Sequence, residues 1–236
     1  MFTESAHLYD AIYSAFKNYE TEAQQIATLI QSQHPQARAM LDVGCGTGEH
    51  VKHLRGQGFE ADGLDLDASL LQVARQKVPT AQFFEADMSN FALGRRFDVV
   101  MCLFSSIGYL QSLARVTAAL RCFRDHAAND GVVIVEPWFA PGVLREGPGP
   151  AKQAEVDGLH VERTSHMNVD GRISTLTFHY RMEDAAGVRV AQEVHTLGLF
   201  TPTEMMDCFT AAGLAANYDP AGLTGRGLYV ARVAAP

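Results

Sequence analysis

With 236 residues the chain fits one main core carrying an insertion better than two full domains, because single cores stop growing near about 250 residues. Apolar residues make up 47% and charged residues 19%, which excludes a disordered chain, since burial can offset the entropy of ordering. A formal charge of −8 argues against broad nucleic-acid binding, which rests on clustered Lys and Arg, and leaves any small anionic ligand to a local basic patch.

The first ten residues show no basic region ahead of an apolar one, and no later apolar run reaches the roughly 18 residues that span a bilayer. Neither export nor membrane insertion is expected, and a cytoplasmic location is. Tyr9, Tyr13 and the Lys17-x-Tyr19 pair lie upstream of the first strand, where residues 1–35 suit a helical lid that excludes water. The plainer alternative is an amphipathic helix that packs through its tyrosines.

Alternating apolar runs and helical patterns over the first 137 residues predict an α/β fold with a doubly wound, mostly parallel sheet of seven strands. Strands are expected at Ala39–Val43, Glu60–Asp65, Ala81–Glu85, Phe97–Leu103 and Val132–Glu136. Helices are expected after Gly48 through Arg55, at Ala68–Lys77 and at Ser112–His126. From Pro137 to Pro150, four Pro and three Gly in fourteen residues predict a surface loop or lid. Strand-like runs at Leu159–Asn168, Ile173–Glu183 and Val188–Phe200, parted by Asp170-Gly171 and Ala186-Gly187, predict an antiparallel β insertion over about 151–200. Thr201-Pro202-Thr203-Glu204 has the form of a capped helix start, with the helix ending at Gly213. Strands at Leu214–Tyr218 and Gly227–Val233 complete a single domain. An exposed strand edge in the insertion is where a homodimer would form. Cys45, Cys102, Cys122 and Cys208 lack paired C-x-x-C spacing, so reduced thiols are expected rather than disulfides.

Chemistry concentrates where strands end. In Leu41-Asp42-Val43-Gly44-Cys45-Gly46-Thr47-Gly48, glycines let a strand turn sharply into a helix and let a ligand approach the backbone. Asp65 ends the second strand, where a carboxylate can accept hydrogen bonds from both ribose hydroxyls of an adenosine. Taken alone, the glycines could form only a tight connection and Asp65 could be a surface acid. The Asp-x-Gly-x-Gly-x-Gly form resembles motif I of class I S-adenosylmethionine-dependent methyltransferases. That resemblance implies S-adenosylmethionine as cofactor and S-adenosylhomocysteine as product, with no metal. It implies a cofactor site made by Asp42, Gly44, Cys45, Gly46, Asp65 and Leu66, with Asp87 near the adenine amino group and Met88 against the ring. Tyr9, Tyr19 and Phe104 complete the cofactor set, although Phe104 equally suits the core.

A closer resemblance rests on Leu8-Tyr9-Asp10, Phe104-Ser105-Ser106-Ile107-Gly108-Tyr109-Leu110, Glu136-Pro137-Trp138-Phe139, Gly225-Arg226-Gly227-Leu228 and the antiparallel insertion. With these the chain resembles, over nearly its whole length, the N,N-dimethyltransferases of nucleotide-linked amino sugars of the desosamine and mycaminose type. It departs from them in Ser14-Ala15-Phe16, where the family has a Gly-rich stretch. The resemblance implies a thymidine-diphosphate sugar whose amine attacks the sulfonium methyl directly, once or twice. Tyr13, Ser106, Tyr109, Trp138 and Arg226 are implied on the acceptor side, with Arg226, Arg145 and Lys152 as cations for the diphosphate or as solvated surface charges. His126 and Tyr9 are implied at the reacting centre, where His126 accepts a proton or orients the nitrogen; otherwise His126 complements the end of its helix. Two other readings stay open, methylation of another small amine such as an amino acid, and a non-catalytic cofactor-binding domain.

Overall fold

The computed structural model describes residues 13, 17–156 and 158–233. Strands β1 (Ala39–Val43), β2 (Glu60–Asp65), β3 (Phe83–Glu85), β4 (Phe97–Cys102), β5 (Ala127–Val135), β10 (Leu214–Asp219) and β11 (Leu228–Val233) form one sheet. Their order is β10-β11-β5-β4-β1-β2-β3, and β11 alone runs against its neighbours. Helices α1 (Tyr19–Gln33), α2 (Glu49–Gly56), α3 (Ala68–Lys77), α4 (Leu113–His126) and α5 (Pro202–Ala211) cover it.

The period-2 alternation of the central strands explains the double layer. Leu41, Val43, Val100 and Cys102 pack with Val116, Leu120 and Phe123 of α4 and Met205 and Phe209 of α5. Met40, Val99 and Met101 face the opposite layer, made by Ile26 and Ile30 of α1, Val51 and Leu54 of α2, and Leu71 and Ala74 of α3. Residues 19–33, counted with a lid from sequence, form a helix that buries Ala23, Ile26 and Ile30 in this layer. Asn18 caps α1 by accepting the Thr21 N–H at 2.9 Å, and Asp67 caps α3 by accepting from Ser69 and Leu70. The capping box of α5 is present, with Thr201 and Glu204 exchanging side-chain and backbone bonds.

A second sheet follows, in the order β6 (Gly147–Val156), β7 (Leu159–Asp170), β8 (Ile173–Asp184) and β9 (Gly187–Gly198), antiparallel throughout. Strand β6 corrects the loop expected up to Pro150. Pro148 and Pro150 cannot donate to a ladder, but β6 is an edge strand, and its register shifts between Gly149 and Lys152 to pass Pro150. Two smaller corrections have local causes. β3 begins at Phe83, because the Ala81 N–H closes a turn on the Val78 carbonyl at 3.0 Å. β5 begins at Ala127, which pairs with Phe97 before an irregularity that brings Val132 opposite Val99. No helix among the described residues is long and apolar enough to cross a membrane.

Candidate active site

Strand order reverses at β1, between β2 and β4, so a crevice opens at the carboxyl ends of these strands. The Gly44 and Cys45 N–H groups both donate to the Leu64 carbonyl, at 2.7 and 3.0 Å. Gly44 has φ +76, and a Cβ there would come within 2.7 Å of Ser106 Cβ, so glycine alone satisfies both backbone and contact. At Gly46 the space a Cβ would fill is open, on the wall of a cavity of about 930 Å³.

Asp65 lines this cavity at the end of β2. Its Oδ2 accepts the Gly46 N–H at 2.8 Å and its Oδ1 the Asp67 N–H at 2.9 Å. Each carboxylate oxygen has two lone pairs, so each keeps one for a donor arriving from the cavity. Burial raises the Asp65 carboxyl, and these backbone donors restrain the rise. One strand further out, Asp87 Oδ1 accepts from Ser89 and Oδ2 pairs with Arg115 at 2.8 Å. Partial burial works against ionisation there, yet Ser89 and Arg115 hold the carboxyl below the ordinary carboxylate range. Leu66, 59% exposed, and Met88 supply apolar surface between the two acids.

The segment after β4 takes a turn that few non-glycine residues adopt, with φ +51 at Phe104 and +65 at Ser105. Two bonds hold it. The Phe104 N–H donates to Glu136 Oε2 at 2.7 Å, and the Ser105 hydroxyl donates to the Pro137 carbonyl at 2.7 Å. The Phe104 ring is thereby set with Lys17 Nζ 3.5 Å and the Arg226 guanidinium 5.0 Å from its centroid, and the Tyr13 ring meets it edge-on at 5.7 Å. Buried Glu136 also accepts from Thr224 and from Arg226 at 3.3 Å. Lys17 pairs with Glu22 at 2.9 Å, and Glu22 reaches His50 at 3.1 Å. Burial lowers the Lys17 ammonium in spite of that carboxylate.

The second sheet closes the other side. Gly108 lies so near it that a Cβ would stand 3.1 Å from Leu197 and from Trp138. Arg163 of β7, Phe178 of β8 and His195 of β9 face the cavity. The Arg163 guanidinium is 4.4 Å from the Phe178 ring centroid and 5.2 Å from that of Tyr13. Tyr109 Oη is 2.9 Å from His195 Nδ1, and the Trp138 indole N–H donates to Ser174 Oγ at 2.9 Å.

Of the residues singled out from sequence, the fold brings Gly44, Gly46, Asp65, Leu66, Asp87 and Met88 onto one wall. Tyr13, Phe104, Ser106, Tyr109, Trp138 and Arg226 stand on the same cavity, as does Lys152, whereas Arg145 does not line it. Tyr9 lies outside the described residues. Asp42, Cys45 and Tyr19 sit behind the wall: Asp42 and Cys45 are buried in the core, and the Tyr19 ring packs against His50 at 5.2 Å. His126 is a clear correction. It is buried beneath the Phe91 ring at 4.3 Å, with Nδ1 2.7 Å from the Cys122 carbonyl and Nε2 2.9 Å from the Leu93 N–H. A carbonyl at one nitrogen and an N–H at the other require a neutral imidazole donating from Nδ1 and accepting at Nε2, so it neither meets the cavity nor serves its helix end as a cation. Sequence reasoning gave Glu136 no role, although it opens the Glu136-Pro137-Trp138-Phe139 motif, and missed Arg163, Glu193 and His195. Glu136 follows a strand as Asp65 ends one, which was a usable signal; the other three read as polar positions of alternating strands. Among the described residues no cluster of three or more His, Cys, Asp or Glu could hold a metal ion.

A family model described as a methyltransferase domain matches residues 40–131, the stretch that carries the Gly44–Asp87 wall. The chain is 40% identical over 228 residues to a dTDP-3-amino-3,6-dideoxy-alpha-D-glucopyranose N,N-dimethyltransferase of Streptomyces fradiae, across 96% of this chain and 89% of that protein. The crystal structure of Streptomyces venezuelae DesVI superposes with a TM-score of 0.93 at 39% identity, covering 98% of this chain and 99% of that one. CalS10, an amino pentose methyltransferase from Micromonospora echinaspora solved with S-adenosylmethionine bound, gives a TM-score of 0.87 at 35% identity, covering 96% of each. The chain belongs to the methyltransferase family that contains the N,N-dimethyltransferases of dTDP-linked amino sugars.

Proposed function

We propose that this chain moves methyl groups from S-adenosylmethionine to the amine of a nucleotide-linked amino sugar, twice in succession. The observation that carries the reading is one continuous cavity lined by the acids Asp65 and Asp87, by Phe104 and Tyr109, and by the cations Arg226, Arg163 and Lys152. A nucleoside suits the acids and a diphosphate the cations, which reconciles an acidic chain with an anionic substrate. The Streptomyces fradiae relative is named for a dTDP-amino sugar, in agreement with that division.

The residues present fit the cofactor. Asp65 keeps a lone pair on each oxygen for two ribose hydroxyls, and the open space at Gly46 admits a chain lying against the backbone. Leu66, Met88 and Asp87 line the same wall, where the two apolar side chains would hold the adenine ring and Asp87 would accept from its amino group. When bound, the sulfonium supplies an electrophilic methyl carbon. The protein aligns the amine with it, and such alignment is worth about 7–11 kcal/mol of barrier. Phe104, fixed through Glu136, and Tyr109 border the passage where the two reactants meet.

Mass spectrometry of the purified protein with S-adenosylmethionine and a panel of dTDP-3- and 4-amino sugars, with free amino acids alongside, tests the reading. Products one and two methyl groups heavier from a sugar nucleotide are expected. Methylation of amino acids alone would replace the substrate class, and no methylation of any amine would leave a binding domain.

A further inference from the structure

Methylating a neutral amine leaves a positive charge on nitrogen, and a proton must leave before the same nitrogen can attack again. The residues assigned so far bind and align, and none of them takes that proton. Tyr109 keeps 40% of its surface open, and its Oη stands 2.9 Å from His195 Nδ1. His195 Nε2 is 3.7 Å from Glu193 Oε2, which also accepts the Tyr180 hydroxyl at 3.0 Å. His195 and Glu193 are two residues apart on β9 and so share a face, and both are 4% exposed. A carboxylate on the Nε2 side favours the tautomer protonated there, which leaves Nδ1 to accept the Tyr109 hydroxyl. The Tyr109 oxygen then has lone pairs for a donor in the cavity.

We propose that Tyr109, His195 and Glu193 form a proton relay that neutralises the amine after each methyl transfer. The proposal rests on the methyl-transfer reading above. The N–H bond of the methylammonium breaks, its electrons remain as the nitrogen lone pair, and its proton goes to Tyr109 Oη. In the same step the phenolic proton passes to His195 Nδ1, and Glu193 faces the resulting imidazolium; before the next transfer the path runs in reverse, from His195 Nδ1 through the partly exposed Tyr109 to water that enters as the products leave. Tyr109 ends as it began, with no phenolate formed. Other elements present Tyr13 and Asp65 to Tyr109, and on β8 Tyr180 and Phe178 flank Glu193 and His195. Arg163 of β7, stacked on that Phe178 ring, is the cation of the group. Tyr109 is the catalytic residue of the relay; His195 and Glu193 act through it.

The test follows mono- and dimethylated products over time, from pH 7 to 9, in the native enzyme, His195→Gln and Tyr109→Phe, with the dTDP-amino sugar that the native enzyme accepts. Glutamine can still accept the Tyr109 hydroxyl bond but takes no proton. In His195→Gln, which keeps the Tyr109 side chain, the first methylation is expected to fall less than the second, since alignment is kept. The second is expected to slow by about 10²-fold at pH 7, so that monomethylated sugar accumulates, and to recover toward pH 9 as solvent deprotonates the amine. Affinity for S-adenosylhomocysteine, read by calorimetry, is expected to stay the same. Native product ratios at every pH in both variants would overturn the relay, as would a loss equal in both steps and independent of pH. A native enzyme that methylates no amino sugar overturns the underlying reading and the relay with it.

Discussion

Asp42 and His126 are two polar side chains that sequence placed in the cofactor site and at the reacting centre respectively, and the fold places both in the interior. Burial raises the Asp42 carboxyl from 3.8 to about 6, and His50 and Lys17 only partly offset it. Its Oδ2 has no hydrogen-bond partner among the described residues. The folded state therefore holds this proton more tightly than the unfolded chain does, so the stability Asp42 contributes is full below about pH 4 and is lost as pH rises through about 6. At about 1.4 kcal/mol per pH unit the loss is roughly 3 kcal/mol. Urea unfolding of Asp42→Asn is expected to lack this fall between pH 4 and 6; an unchanged pH profile would show that the carboxyl is not desolvated. For His126→Ala, the orphaned Leu93 N–H is expected to cost about 1–3 kcal/mol of stability, with turnover within a few-fold of native. Large loss of turnover at native stability would return His126 to the reaction. Sequence could not separate these outcomes for His126, because the decision lies in the last turn of α4, which aims the ring at Phe91 and the Cys122 carbonyl.

At the scale of elements, β1, β2 and α3 begin and end where their apolar patterns say they should, because nothing tertiary opposes the local preference. The start of α5 was equally legible, since its capping box is a local arrangement of Thr201 and Glu204. Thr201→Ala is expected to cost about 1 kcal/mol, measured by thermal or urea unfolding. No change would mean that Pro202 and the packing of Phe209 hold the helix without its cap. β6 was illegible for the opposite reason. Pro148, Gly149 and Pro150 carry loop propensity, and only the pairing of Gly149 with Ser165, 16 residues along, makes a strand of them. A Cβ at Gly149 would stand 2.4 Å from Ser165 Oγ, so the glycine that signals a loop is what permits the pairing. The bend at Phe104 and Ser105 was hidden likewise, since its anchor Glu136 lies 32 residues downstream.

For the whole molecule, the doubly wound sheet and the wall from Gly44 to Asp87 could be read from sequence, because each part is a strand end followed by its own loop. The facing wall could not, because Arg163, Phe178 and His195 become neighbours only through the registers of β7, β8 and β9. We propose that both walls belong to one folding unit carrying the β insertion. A ligand that binds the native state alone stabilises it by about 2.7 kcal/mol at a hundred times its Kd. S-adenosylhomocysteine is expected to raise a single unfolding transition of the native protein, and Asp65→Ala to reduce that rise through lost ribose bonds worth about 1.5–3 kcal/mol. Two separate transitions, or an equal rise in the variant, would contradict one or the other expectation.

A crystal structure of the ternary complex with S-adenosylhomocysteine and a dTDP-amino sugar would place both ligands in one cavity. Adenosine is expected between Asp65 and Asp87, the diphosphate beside Arg226 and the sugar amine in the passage bordered by Phe104 and Tyr109. A sugar nucleotide seated outside this cavity, or an amine directed away from the sulfur, would contradict that placement.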